Sequence, residues 1–135
     1  MGVSLYNKDY DMDMGYGTFF NLRKVVASLY NKDFGEFYHN WMVDKTVSDE
    51  DMDNKVQSLY DEGIFNNVDD EALDFLFLPD VKGKISYKSC RRILEIIGDY
   101  TDDYMYGYLH ANHSFDYFKE MLRDCVKRRR TLYWD

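Results

Sequence analysis

Apolar and polar positions alternate at the start of the chain: Val3 and Leu5 fall on one side of a period of two, Ser4 and Tyr6 on the other, which predicts a short strand. Asp9, Asp11 and Asp13, interleaved with Tyr10, Met12 and Met14, continue that period until Gly15-Tyr16-Gly17 breaks it. Thr18 has the chemistry of an N-cap. Phe19, Leu22, Val26 and Leu29 then recur at helical spacing, which predicts a first helix over residues 19 to 30. Phe34, Phe37, Tyr38 and Trp41 predict a second helix from Phe34 to Met42, with its aromatics in the core. Ser48, with Asp51 three residues later, approximates a capping box. The stripe of Met52, Val56, Leu59 and Tyr60 continues a third helix that Gly63 can terminate.

The dense apolar run Leu73 to Leu78 ends at Pro79. Periodicity alone does not separate a buried strand from the last turns of a helix begun near Asp69; the expectation is a helix ending in an extended piece. Turn chemistry surrounds Gly83. Ser86 can cap a helix that carries Ile93, Leu94 and Ile97 and is closed by Gly98. Thr101 with Asp102 and Asp103 can start a further short helix, weakened by Gly107. Ser114 caps a helix with Phe115, Phe118, Met121, Leu122, Cys125 and Val126 on one face, and Lys127 to Arg130 lie where cations oppose the helix dipole. Thr131 to Trp134 reads as a terminal strand able to pair with the N-terminal one. The whole is one α+β, predominantly α, domain over residues 1–135, with about five or six helices and a minimal sheet from the two chain ends.

Charge changes this picture more than composition does. Residues 44 to 80 hold twelve acidic side chains against two basic ones, a net of −10, whereas residues 1 to 43 carry −1 and residues 81 to 135 carry +3. A field of that sign repels nucleic acid and attracts basic surfaces. A hydrophobic content of 45% and an aromatic content of 18%, with a single proline, separate the chain from disordered compositions. No apolar run approaches membrane-spanning length, the N-terminus reads as neither a signal nor a leader, and Tyr6 stands where a myristoylation motif wants Ser or Thr. A cytoplasmic protein of the host cell is the expectation. Cys90 and Cys125 sit in helical apolar registers and read as buried free thiols. Ser-Leu-Tyr-Asn-Lys-Asp occurs at residues 4 to 9 and again at 28 to 33, but the flanking periodicity differs, which favours chance over a structural repeat.

The acidic clusters fail as calcium loops. After Asp9, Asp11 and Asp13 the glycine position holds Met14 and the bidentate glutamate position Phe20; after Asp49, Asp51 and Asp53 these are Asn54 and Tyr60. His110 and His113 form a His-x-x-His pair without cysteine partners, and His39 stands apart, so no metal and no cofactor is expected. No phosphate loop, nucleophile elbow or His-Glu-x-x-His occurs, and no catalytic residue is assigned; a carboxylate converging on His39, His110 or His113 is the one route to an enzyme left open.

The start Met1 to Tyr6, Gly15-Tyr16-Gly17 before a helix, and Phe75 to Gly83 with Ile85 before a second helix resemble small uncharacterised proteins encoded by phages and prophages, a resemblance that leaves residues 31 to 70 unmatched. It implies a viral or mobile-element source and no particular chemistry; in composition the chain also looks like small acidic phage inhibitors of host machinery, including nucleic-acid-binding defence enzymes. The residues and the resemblance together lead to a noncatalytic acidic interaction protein that binds and inhibits a basic, nucleic-acid-binding surface of a host or defence protein, without touching nucleic acid or membrane itself. Asp49, Glu50, Asp51, Asp53, Asp69, Asp70 and Glu71 are the candidate partner-binding carboxylates, joined by Tyr104, Tyr106 and Tyr108, since tyrosine combines large contact area with a polar tip. The second reading is a small-ligand or nucleotide-binding module in which the tyrosines stack on a base and Arg91, Arg92, Arg128, Arg129 and Arg130 take its phosphates.

Overall fold

A computed structural model of the chain describes residues 2–102 and 115–135. The alternation at the N-terminus becomes a hairpin of β1 (Gly2–Tyr6) and β2 (Asp11–Gly15). The two are antiparallel and in a register that pairs Leu5 with Met12 and Ser4 with Asp13. The Asn7 side chain shapes the turn: its Oδ1 accepts the Asp9 and Tyr10 amides, an Asx arrangement that substitutes for backbone pairing. The chain then enters α1 (Tyr16–Tyr30) directly from the strand, with Gly15 at the N-cap. Thr18 is therefore inside the helix rather than its cap, because the hairpin delivers the chain in extended geometry right up to Gly15.

Helix α2 (Lys32–His39) follows at once, its Asn31 cap accepting the Phe34 amide. The expected end at Met42 is replaced by a π-helical turn over Asn40–Asp44, closed by Lys45 at φ 56°. The aromatics expected in the core divide: Phe34 and Tyr38 are fully buried, whereas Phe37 and Trp41 are only half-buried. Ser48 caps α3 (Asp49–Asp61) as its spacing predicts, its Oγ accepting the Asp51 amide. Two short helices, α4 (Asp69–Ala72) and α5 (Asp74–Phe77), precede Leu78 in extended conformation, which resolves the ambiguous run before Pro79 as helix ending in an extended piece.

The residues after Gly83 form a strand, β3 (Gly83–Ile85), where turn chemistry alone was expected. Its partner is β4 (Leu132–Trp134), which also pairs with β1 as the terminal-strand reading anticipates. The sheet is antiparallel in the order β2-β1-β4-β3, larger than a pairing of chain ends. Glycine is required at position 83, because a Cβ there would fall inside the Trp134 indole. Ser86 caps α6 (Tyr87–Ile97), which Gly98 closes at φ 54°. Helix α7 (Phe115–Arg128) leads back to β4. Thr101 and Asp102 are not helical, and the rest of the helix expected there, with the Ser114 cap, lies outside the described residues. The result is an α+β fold, predominantly α.

Helices cover one face of the sheet. Trp134 of β4 packs on Phe19 of α1 at 5.9 Å between ring centroids and on Phe75 of α5 at 5.8 Å, and Phe75 stacks on Phe118 of α7 at 5.7 Å. Of the three charged side chains buried among the described residues, Lys119 donates to the Tyr100 carbonyl at 3.0 Å and the other two anchor the core. Arg23 is 1% exposed and donates to Asp80 at 2.9 Å and to the Leu78 carbonyl at 2.7 Å, its guanidinium over the Phe19 ring. Asp69 is fully buried and accepts from Tyr30 Oη (2.9 Å), the Asn66 amide (3.0 Å), and Arg92 Nε and Nη2 (2.9 and 3.3 Å). Cys90 and Cys125 are buried free thiols, and Asn7 Nδ2 donates to Cys125 Sγ at 3.2 Å.

Removing one member of a buried ion pair strands the other, at a cost of about 3 to 5 kcal/mol; Arg92 keeps some access to water, so Asp69→Ala should lose about 3 kcal/mol in urea denaturation. Asp70→Asn, one residue on but exposed, should lose about 0.5 kcal/mol or less. Equal, small losses for both would show that the buried carboxylate does not hold the fold.

Candidate interaction site

A cleft of about 460 Å³ runs between α3 and the α4–α5 pair. Its position follows from the local sequence. The Ser48 cap starts α3 so that Met52 and Leu59 point into the core, leaving Asp49, Asp53 and Gln57 along the outer edge of the same helix. The π-turn swings Trp41 to the head of the cleft, and α5 contributes Phe77 and Asp74 from the opposite wall. Trp41 and Phe77 meet at 5.5 Å with their planes 60° apart, so the floor is an aromatic corner continued by Met52, Val56 and Leu73.

Four carboxylates stand on this floor's rim. Asp49 accepts Trp41 Nε1 at 2.8 Å and Asp70 accepts Tyr60 Oη at 3.1 Å, each fixed by one of the aromatic residues it borders. Burial and the adjacent Asp70 push the Tyr60 hydroxyl up to about 12, so it stays a donor through the neutral range. The side-chain carboxylates of Asp53 and Asp74 have no hydrogen bond or ion pair among the described residues. Burial, with a smaller contribution from Glu71, raises the Asp74 carboxyl above its ordinary value. An unsatisfied, partly desolvated carboxylate beside aromatic rings is a ready acceptor for a cation.

The candidate carboxylates thus separate. Asp49, Asp53 and Asp70 converge on the cleft, while Glu50 and Asp51 are exposed on α3 but outside it. Asp69, expected at a binding surface, is fully buried, because Tyr30 and Arg92 converge on it from α1 and α6. Glu71 accepts the Ser86 amide at 2.9 Å. Tyr104, Tyr106 and Tyr108 lie outside the described residues, as do His110 and His113. Trp41, Tyr60, Asp74 and Phe77 escape the sequence-level selection of site residues: helical spacing assigns Trp41 to the core, and nothing local shows that α5 turns Phe77 toward α3.

The five arginines of the nucleotide reading do not form one site. Arg92 is held by Asp69, Arg128 pairs with Asp124 at 3.0 Å, and Arg130 reaches Asp9 at 2.6 Å and Asp124 at 2.9 Å. Arg91 and Arg129 lie over the ring of Tyr87, at 5.8 and 6.0 Å from its centroid. Among the described residues no group of three or more His, Cys, Asp or Glu could hold a metal ion. His39 Nε2 lies 3.7 Å from Asp44, away from the cleft lining. Hydrogen bonding to Cys125 raises the Cys90 thiol, the same bond lowers that of Cys125, and both are fully buried.

No protein-family model, curated protein or solved structure matches the chain. Among the described residues no helix is long and apolar enough to cross a membrane.

Because Arg92, Arg128 and Arg130 already hold carboxylates, a panel of nucleotides at millimolar concentration should leave the melting temperature unchanged, since a ligand that binds only the folded state raises it by mass action. A rise that grows with nucleotide concentration and disappears in Arg91→Ala/Arg129→Ala would restore the nucleotide-binding reading.

Proposed function

We propose that the protein is a noncatalytic interaction module that binds a basic surface of a protein partner through the cleft between α3 and α5. The observation that carries this reading is the joining of four carboxylates, Asp49, Asp53, Asp70 and Asp74, to an aromatic floor in one cleft. Acidic residues scattered over a surface are solvated and screened; the same residues around an apolar depression exclude water from one side and strengthen each contact with a cation. Apolar area from Trp41, Met52 and Phe77 supplies short-range affinity, and the −10 charge of residues 44 to 80 supplies long-range attraction.

Strongly basic protein surfaces are chiefly those that bind nucleic acid, which makes such a surface on a host or defence protein the occupant this reading names. Occupying it would inhibit by competition with phosphate, without chemistry. The phage or mobile-element source and the host cytoplasm belong to the same proposal, supported by the chain's acidic composition. Direct nucleic-acid binding is disfavoured by the sign of the field around the cleft.

The test is to capture the partner, identify it by mass spectrometry, and measure purified components. Asp49→Asn/Asp53→Asn/Asp70→Asn should slow association markedly and flatten its salt dependence. Its melt should stay close to that of the parent protein, each lost first-turn carboxylate on α3 costing about 0.3 to 1 kcal/mol through the helix dipole. An affinity unchanged from low to high salt, or unchanged association by the triple variant, would overturn the electrostatic reading.

A pH titration gives a second check. The Asp74 carboxyl of the free protein takes up its proton at higher pH than an ordinary aspartate, so affinity for a cationic partner should begin to fall above the usual carboxylate range as pH is lowered. Asp74→Asn should remove that first step. For stability the sign is opposite: a raised carboxyl opposes folding once ionised, so Asp74→Asn should not destabilise the protein at neutral pH.

A further inference from the structure

We infer that the cleft is selective for arginine, taking a partner's guanidinium in preference to a lysine ammonium; this rests on the proposed basic partner and specifies which cation it presents. Three features of the cleft distinguish the two cations. First, the corner formed by Trp41 and Phe77, 5.5 Å apart at 60°, offers flat ring surface beside the acidic rim. A guanidinium is planar and stacks on such a face while keeping its edge free for hydrogen bonds; an ammonium is compact and presents its donors in all directions.

Second, the acceptors are graded. Asp49 and Asp70 each already take one donor, from Trp41 and Tyr60, and are thereby oriented. Asp53 and Asp74 take none among the described residues, so full carboxylates with both oxygens available stand on opposite walls, one on α3 and one on α5. A fork of N–H donors matches a free carboxylate by paired parallel bonds, which a single ammonium cannot reproduce. Third, the site is partly dry, since burial is the main reason the Asp74 carboxyl is raised. A cation entering it gives up hydration, and guanidinium is the more weakly hydrated of the two. The volume of about 460 Å³ admits a long side chain with adjoining backbone.

The experiment uses the intact chain with hexa-arginine and hexa-lysine peptides, which carry equal charge and so have equal long-range attraction. Trp41 reports binding by its emission: of the two tryptophans it borders the cleft, while Trp134 is 1% exposed and bonded to the Pro79 carbonyl. The arginine peptide should bind about tenfold more tightly at moderate salt. Asp53→Asn/Asp74→Asn should remove the preference. Asp53→Asn alone, at an exposed position where folding is not at stake, should reduce it. Equal affinities for the two peptides, both lost with salt, would overturn arginine selectivity and leave the acidic-partner reading standing. Binding of neither peptide at low salt would overturn both. A preference that persists undiminished in the double variant would place the arginine contact elsewhere and overturn the inference.

Discussion

The buried carboxylate of Asp69 is the constraint on which the surroundings of the cleft depend. An ionised carboxylate taken out of water must find donors for its lone pairs, and Asp69 finds four: one from Tyr30 of α1, one from the Asn66 amide and two from Arg92 of α6. Helix α4 is a single turn and has little intrinsic stability. Its orientation is therefore set by this ionic anchor, together with Ala72 and Leu73 in the core. Once Asp69 faces inward, the helical rotation turns Asp70 outward to Tyr60, and Glu71 to the Ser86 amide. One acidic triplet is thus divided into a core anchor, a cleft wall and a brace on the start of α6.

A second buried charge fixes the other side. Arg23 holds Leu78 and Asp80, and Trp134 Nε1 donates to the Pro79 carbonyl, so the segment leaving α5 is bound on three consecutive residues. That segment cannot slide along the core. Phe77 and Asp74, just upstream, are consequently held opposite α3, and a gap remains that neither helix fills. Rigid placement of this kind matters for recognition, because a preformed site spends less of its interaction energy on ordering its own side chains.

The sequence makes the local signals legible and hides the long-range ones. The Ser48 and Ser86 caps act through amides three residues away, and both are visible as spacing. The alternation of Val3 and Leu5 shows the first strand, and Leu132 to Trp134 shows its partner. Gly83 to Ile85 is too short for periodicity, and its strand character comes from β4, some fifty residues later in the chain. Asp69 looks like its neighbours Asp70 and Glu71; only donors 23 and 39 residues distant, on Arg92 and Tyr30, distinguish it. Trp41 has the spacing of a core aromatic, and the change of pitch at the π-turn moves it to a rim. The acidic character of the middle segment was readable as charge, whereas its concentration around an aromatic floor is a property of packing.

The balance of pairing explains why a modest net charge can act locally. Part of the chain's basic charge is neutralised internally, since Arg92, Arg128 and Arg130 each hold a carboxylate within the chain, and Arg23 does so from the first helix. Each such pair cancels at distances beyond a few ångströms. The carboxylates of Asp53 and Asp74 are not cancelled in this way among the described residues. Both add uncompensated negative charge to the cleft. In the proposed interaction, a basic partner beyond the screening length of about 8 Å meets little field, and within it the carboxylates of this edge attract it. Orientation on approach and the short-range contacts of Trp41 and Phe77 then favour the same face, so one arrangement of side chains serves both encounter and docking.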